Sequence, residues 1–171
     1  YQSETFPRAS LGIPNEAFVV GCVANQRPNK GVDLLLRAAE LLHSQEDFHF
    51  VVVGDLRGLD VQNYVSKDVL PRIHLMGIRE DVPALLRACD VSVMPTRYSE
   101  GLPKAVIESM SVGTPVIVTR VGGMVELVRD GVDGIVIDPC SAEAIAQAIL
   151  DLRASAEQRL LFSKSGKVRI S

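Results

Sequence analysis

Two glutamates eight positions apart, Glu100 and Glu108, stand in the stretch S-E-G-L-P-K-A-V-I-E-S-M-S-V-G-T-P from Ser99 to Pro115. The apolar run Val91 to Met94 feeds this stretch, and Pro103 sits where a helix's first turn accepts proline, so a helix is expected to start near Leu102. Unpaired N–H groups at such a start point back toward the loop, and the summed peptide dipoles there favour an anion such as a diphosphate. Glu100 would lie beside that anion. Glu108, roughly 8 to 9 Å further along at 1.5 Å per residue, could accept hydrogen bonds from neighbouring hydroxyls such as a ribose 2'-OH and 3'-OH. The pairing suggests a sugar-nucleotide site. An ordinary amphipathic helix accounts for the same residues: Lys104, Glu108 and Ser111 fall at i, i+4, i+7, with Val106, Ile107 and Met110 on the opposite side.

Other loops carry weaker signals. In N-Q-R-P-N-K-G, Asn25 to Gly31, the cations Arg27 and Lys30 lie at a helix start, where positive charge opposes the dipole unless an anion is present. A solvated loop cation is the equal alternative. The segment is not a P-loop, and no G-x-G-x-x-G fingerprint occurs. No Asp-x-Asp pair is present to chelate a divalent metal on a diphosphate, so charge there would be neutralised by Lys, Arg and backbone N–H groups. Gly54, Asp55 and Gly58, then Gly77 and Ile78, and finally Gly122, Gly123 and Glu126 follow further apolar runs, where glycine permits close backbone approach to a ligand such as a flat base; a plain turn is the more common explanation. His43, His49 and His74 show no ligand spacing and are expected to be structural.

The elements that must position these residues read as alternating strands and helices. Strands are expected near Phe18 to Val23, Phe48 to Val53, Ile73 to Met76, Val91 to Met94, Pro115 to Val118 and Ile135 to Ile137. Apolar residues at Val32, Leu35, Leu36, Ala39 and Leu42, and at Ile145, Ala148, Ile149 and Leu152, mark amphipathic helices. Near-continuous apolar strands between such helices predict an α/β, Rossmann-like doubly wound parallel sheet of about six strands, with a crevice outside the strands' carboxyl ends. Tyr1 to Ser10 and the tail Ser163 to Ser171 lack periodicity and are expected to be cut ends or docking segments.

The length of 171 residues fits a single domain, 1–171, and 47% hydrophobic with 23% charged residues is a globular balance. The net charge of −3 offers no footprint for nucleic acid. Three widely spaced cysteines, Cys22, Cys89 and Cys140, two of them in apolar contexts, favour a reducing compartment. No apolar run is long enough for a membrane span. The chain opens on Tyr1 rather than methionine and is expected to be a piece of something longer.

From Val19 to about Leu152 the chain resembles the C-terminal, donor-binding domain of family-4 (group 1) retaining glycosyltransferases of the GT-B fold. The resemblance is carried, in order, by Lys30-Gly31, Val51 to Gly54, Glu100 to Glu108, G-T-P-V-I at Gly113 to Ile117, G-G-M-V-E at Gly122 to Glu126, and Asp130-Gly131. It implies that this is one half of a GT-B fold whose N-terminal acceptor domain lies outside the chain. It implies Glu108 on the nucleotide ribose, Glu100 facing the donor sugar, and Lys30 on the donor diphosphate with the N–H groups of Gly101 and Leu102. Gly54, Gly77 and Ile78 would line the nucleobase. Relatives often carry an arginine where this chain has Asn25, and Arg27 is a candidate replacement; Pro103 stands where a glycine is common, which removes one backbone donor.

The implied reaction moves a hexose from a nucleoside-diphosphate sugar, UDP- or GDP-linked, to an acceptor hydroxyl with retention, without an obligatory metal or other cofactor. The acceptor would be a glycan or lipid-linked glycan, in polysaccharide or glycolipid biosynthesis. The full-length protein would be cytoplasmic, with peripheral association at the inner face of the membrane, and the chain alone inactive in transfer. A sugar-nucleotide epimerase half and a non-catalytic nucleotide-binding module are the competing readings.

Overall fold

The computed structural model describes residues 4–171; of the opening segment, Tyr1 to Ser3 lie outside the described residues. Six strands form one sheet: β1 (Phe18–Val23), β2 (Phe48–Val53), β3 (Ile73–Gly77), β4 (Val91–Met94), β5 (Val116–Thr119) and β6 (Gly134–Ile137). Their order is β3-β2-β1-β4-β5-β6, and every neighbouring pair is parallel. β1, β2, β4 and β5 are almost wholly buried, which is why they are near-continuous apolar runs.

Helices α1 (Val32–Leu41), α2 (Val82–Arg87), α3 (Lys104–Val112), α4 (Met124–Leu127), α5 (Ala142–Ala154) and α6 (Ala156–Ile170) cover both faces. On one face Leu35 and Leu36 of α1 and Ile145, Ile149 and Leu152 of α5 pack on Val20, Cys22, Phe50 and Val93. On the other, Val106 and Met110 of α3 pack on Met94, Val116 and Val118, and Leu85 of α2 packs on Val19, Val51 and Val53. The alternation of side chains along each strand feeds both layers. Ser141 and Ser155 cap α5 and α6, accepting hydrogen bonds from Ala144 N and Gln158 N at 3.0 and 3.1 Å.

The chain reverses its direction of winding between β1 and β4. The loops leaving those two strands face each other across a topological switch point, where open α/β sheets form their ligand crevice.

Two expectations are corrected. The tail Ser163 to Ser171 is not aperiodic chain: it is the last part of α6, held by buried Phe162 and Gly166, with Met110 atoms 3.6 Å from where a Cβ on Gly166 would stand. Its buried stripe is narrow and contains a glycine, so periodicity did not reveal it. The helix expected near Leu102 begins at Lys104, because Pro103 has ψ 87 and caps rather than enters it. Of the two expectations for the opening segment, residues 4–10 follow the docking one, with Phe6 N donating to Ala84 O at 3.1 Å and Arg8 pairing with Asp90 at 2.9 Å.

Cys22 and Cys89 are buried free thiols, each pushed up to about 12 by burial, and Cys140 is exposed. His49 and His74 stack, His49 Nδ1 lying 3.0 Å from His74 Nε2, at the strand ends away from the crevice. Among the described residues no helix is long and apolar enough to cross a membrane.

Candidate functional site

β1 delivers the chain at Ala24 into a loop that closes with a 3-10 turn, Pro28–Lys30, before α1. Lys30 therefore precedes α1 instead of starting it, with Gly31 in the left-handed region at φ 70 between them. A Cβ at position 31 would stand 2.0 Å from Pro95 O, so glycine alone lets the two facing loops touch. β4 delivers the chain at Met94 into the loop that carries Glu100 and then α3.

Across the switch point the Lys30 ammonium meets both oxygens of Glu100, at 3.0 and 2.7 Å. Their side chains are 22% and 12% exposed, so the pair sits in a recess where water screens it weakly. The anion that Lys30 called for is, in this structure, the carboxylate of Glu100. Thr96 Oγ1 donates to the same carboxylate at 3.3 Å. Ser99, just before Glu100, holds φ 51, a sparsely populated conformation for a residue other than glycine.

A cleft of about 340 Å³ opens over this pair. Lys30, Glu100 and Glu108 line it together, with Gly54, Leu102 and the first helical residues Lys104 and Ala105. Glu108 is turned into the cleft one helical turn from Lys104, its carboxylate 3.6 Å from that ammonium. The first helical hydrogen bonds of α3 are Val106 N and Ile107 N to Pro103 O. The N–H groups of Lys104 and Ala105 are therefore the orphan donors of this helix start. A second depression, of about 450 Å³, runs along the outside of α6 and is lined almost wholly by that helix, so no second element brings polar groups to converge there.

Several residues expected at the site stand beside it. Gly101 opens onto a neighbouring depression with Gly122, Gly123 and Glu126, while Leu102 lines the cleft. Arg27 is exposed and lines a separate hollow with Gln26, Asp55 and Arg57. Asn25 reaches both hollows; its Oδ1 accepts from Asp55 N at 2.9 Å and so ties the β1 and β2 loops together. Arg57 grips Asp55 and holds its carboxyl at about 2. Gly54 lines the cleft, but Gly77 and the 77% exposed Ile78 do not; Gly77 O instead accepts from Gly54 N at 2.9 Å.

The Gly122-Gly123 pair packs directly against the backbone of the Glu100 loop. Cβ atoms there would stand 2.0 Å from Glu100 O and 2.4 Å from Gly101 O, and Gly123 N donates to Glu100 O at 3.1 Å. These glycines let the β5 loop hold the backbone of Glu100. Two further residues went unread in the sequence: Val82 of α2, which lines the cleft, and Arg97, which pairs with Asp33 at 2.5 Å. The Arg97 hydrogen bonds hold the Asp33 carboxyl below the usual carboxylate range. Spacing cannot reveal a pair 64 positions apart.

The arrangement is a polar cleft with two cations, Lys30 and Lys104, two carboxylates and free helix-start donors at the switch point of a doubly wound sheet. Such a cleft can hold an extended ligand with an anionic centre and hydroxyl groups on either side.

Residues 17–155 match the family model described as glycosyl transferases group 1. An uncharacterized glycosyltransferase of Methanocaldococcus jannaschii is 35% identical over 143 residues, covering 82% of this chain and 39% of that protein. The crystal structure of Anabaena HepE in complex with UDP-glucose superposes with a TM-score of 0.83 at 28% identity, covering 99% of this chain and 49% of that one. The C-terminal domain of a group 1 glycosyl transferase, LpcC of Francisella tularensis, shares the fold at a TM-score of 0.83 and 23% identity, covering 95% of this chain and 88% of that one. The chain thus spans well under half the length of the curated relative and about half of HepE.

Proposed function

Because the chain belongs to the group 1 glycosyl transferases, we propose that it is the donor-binding half of a retaining glycosyltransferase. The whole protein would move a hexose from a nucleoside-diphosphate sugar to a hydroxyl of a glycan or lipid-linked acceptor. Acceptor recognition would belong to a partner domain outside the chain.

One observation carries this reading: Lys30, Glu100 and Glu108 line one cleft at the switch point, although they come from two loops and a helix. In the proposed complex the diphosphate lies against the Lys30 ammonium and the helix-start N–H groups, with Leu102, Lys104 and Ala105 at that end. Glu108 accepts hydrogen bonds from the ribose hydroxyls, and Glu100 faces the donor sugar. Gly54 allows the base to approach the β2 loop. Arg27 and the Gly101 N–H have a lesser part, since both open onto neighbouring hollows.

The chemical work of this half is to stabilise the departing diphosphate, where negative charge accumulates in the transition state. Lys30 can do this only if it shares its ammonium between the phosphate and Glu100 or releases Glu100. The ammonium has three donors, which makes sharing feasible. The UDP-glucose seen with Anabaena HepE favours a uridine donor. The proposed setting is the cytoplasm, with the whole enzyme working at the inner membrane face.

Calorimetric titration of the chain with UDP, GDP and ADP, with and without Glu108→Ala and Lys30→Ala, tests this reading. It predicts tightest binding for UDP and losses on both substitutions. Equal heats for all three nucleotides, insensitive to both substitutions, would contradict it.

A further inference from the structure

Lys30 and Glu100 sit on loops that belong to different halves of the sheet, and something must fix the distance between them. Arg97 makes the connection with four hydrogen bonds. Its Nη1 donates to Pro28 O at 2.9 Å and to Asp33 Oδ1 at 2.7 Å, its Nη2 to Asp33 Oδ2 at 2.5 Å, and its backbone N–H to Asn29 O at 2.8 Å. Pro28, Asn29 and Lys30 are the same 3-10 turn, so two of the four bonds hold the turn that presents Lys30. Asp33 anchors the fork to the first turn of α1.

On its own side Arg97 belongs to the Glu100 loop. The neighbouring Thr96 donates to the Glu100 carboxylate at 3.3 Å, and its carbonyl accepts from Thr119 Oγ1 at 2.6 Å, which ties that loop to the end of β5. Arg97 does not line the cleft. The planar fork can hold a carboxylate and a carbonyl at once in fixed directions, which an ammonium on a flexible stem does not do.

We propose that Arg97 is a positioning residue of the donor site: it bolts the Lys30 turn to the Glu100 loop and so sets where the Lys30 ammonium meets the donor's diphosphate. This rests on the donor-binding reading above. Asp33 is its partner in that role. A staple that merely fastens α1 to the sheet would need the Asp33 contact alone; the guanidinium contact to Pro28 O, beside the main-chain bond to Asn29 O, places the side chain's grip on the Lys30 turn itself.

The test is UDP titration of the chain carrying Arg97→Lys, in the wild-type and the Lys30→Ala backgrounds, with thermal melting in parallel. Arg97→Lys is expected to weaken UDP binding about 5- to 20-fold, as for neighbours acting through one contact, and to add nothing once Lys30 is alanine. Equal losses in both backgrounds, or no loss in the first, overturn the proposal. Asp33→Asn, which keeps the packing but weakens the fork, serves the same cycle should Arg97→Lys unfold the chain. A second readout needs no nucleotide: the ¹H–¹⁵N signal of the Lys30 ammonium, sharpened by its Glu100 contact, is expected to broaden or shift in Arg97→Lys. An unchanged signal overturns the positioning role. If the wild-type chain binds no UDP while that signal shifts, the donor-binding reading fails and the positioning of Lys30 stands.

Discussion

Lys30 and Glu100 are 70 positions apart in the chain, yet the ammonium of one lies 2.7 Å from the carboxylate of the other across the switch point of the sheet. Glu100 therefore occupies the cation that a diphosphate would seek. Replacing Glu100 by Gln removes a negative charge from the anion's surroundings and frees the ammonium. UDP, which carries no donor sugar for Glu100 to face, should bind about 3- to 10-fold more tightly to Glu100→Gln, whereas Lys30→Ala should weaken it about 10- to 100-fold, the range for a charged hydrogen bond. Calorimetry reads both, and a Glu100→Gln variant that binds UDP more weakly contradicts the proposed competition.

Gly31 and Gly101 separate strain from space. An alanine methyl at position 31 would stand 2.0 Å from Pro95 O at φ 70, while nothing lies within 4 Å of the same atom at position 101. Gly31→Ala should cost about 1 to 3 kcal/mol or more and Gly101→Ala should stay within about 0.5 kcal/mol. Urea unfolding distinguishes them, and equal midpoints would refute the close contact of the two loops.

The docking of α6 is tested by contrast along the helix. Phe162 is 1% exposed and Leu161 is 55% exposed. Phe162→Ala should destabilise the chain by about 3 to 5 kcal/mol and Leu161→Ala by less than about 0.5 kcal/mol. A mild effect at Phe162 would mean that the tail is not part of the folded unit.

Acid should weaken the fold through the stacked histidines. Burial, first, holds both His49 and His74 below the ordinary value of 6.5, and His74 and Arg72 lower His49 further while Asp47 opposes them. The unfolded chain then binds protons that the folded chain refuses. This contribution to stability is complete above pH 6.5 and declines as the pH falls through the depressed values. His74→Asn should flatten the fall of the urea midpoint below pH 6.5; an unchanged slope would place the acid sensitivity elsewhere.

The sequence disclosed more of the scaffold than of the side chains' destinations. The buried strands were legible because parallel sheets covered on both faces need unbroken apolar runs such as Phe48 to Val53, and the order of those runs placed the crevice. Lys30 and Glu100, which share one cleft with Glu108, were legible because each lies on a loop that follows a strand, and Glu108 because it lies within the helix that follows Glu100. Arg27, Gly77 and Ile78 share that local context but do not line the cleft, since where a loop sits depends on distant contacts such as Gly54 N to Gly77 O. Long-range partners leave no periodic trace, which is why Arg97 with Asp33, and Gly122 beneath Glu100, emerged only in three dimensions.

The most direct test of the account is the crystal structure of this chain with a UDP-sugar bound. The diphosphate is predicted within about 2.7 to 3.2 Å of the Lys30 ammonium, with the ribose hydroxyls at the same range from the Glu108 carboxylate. A diphosphate bound outside the cleft, with Glu108 facing open solvent, would contradict it.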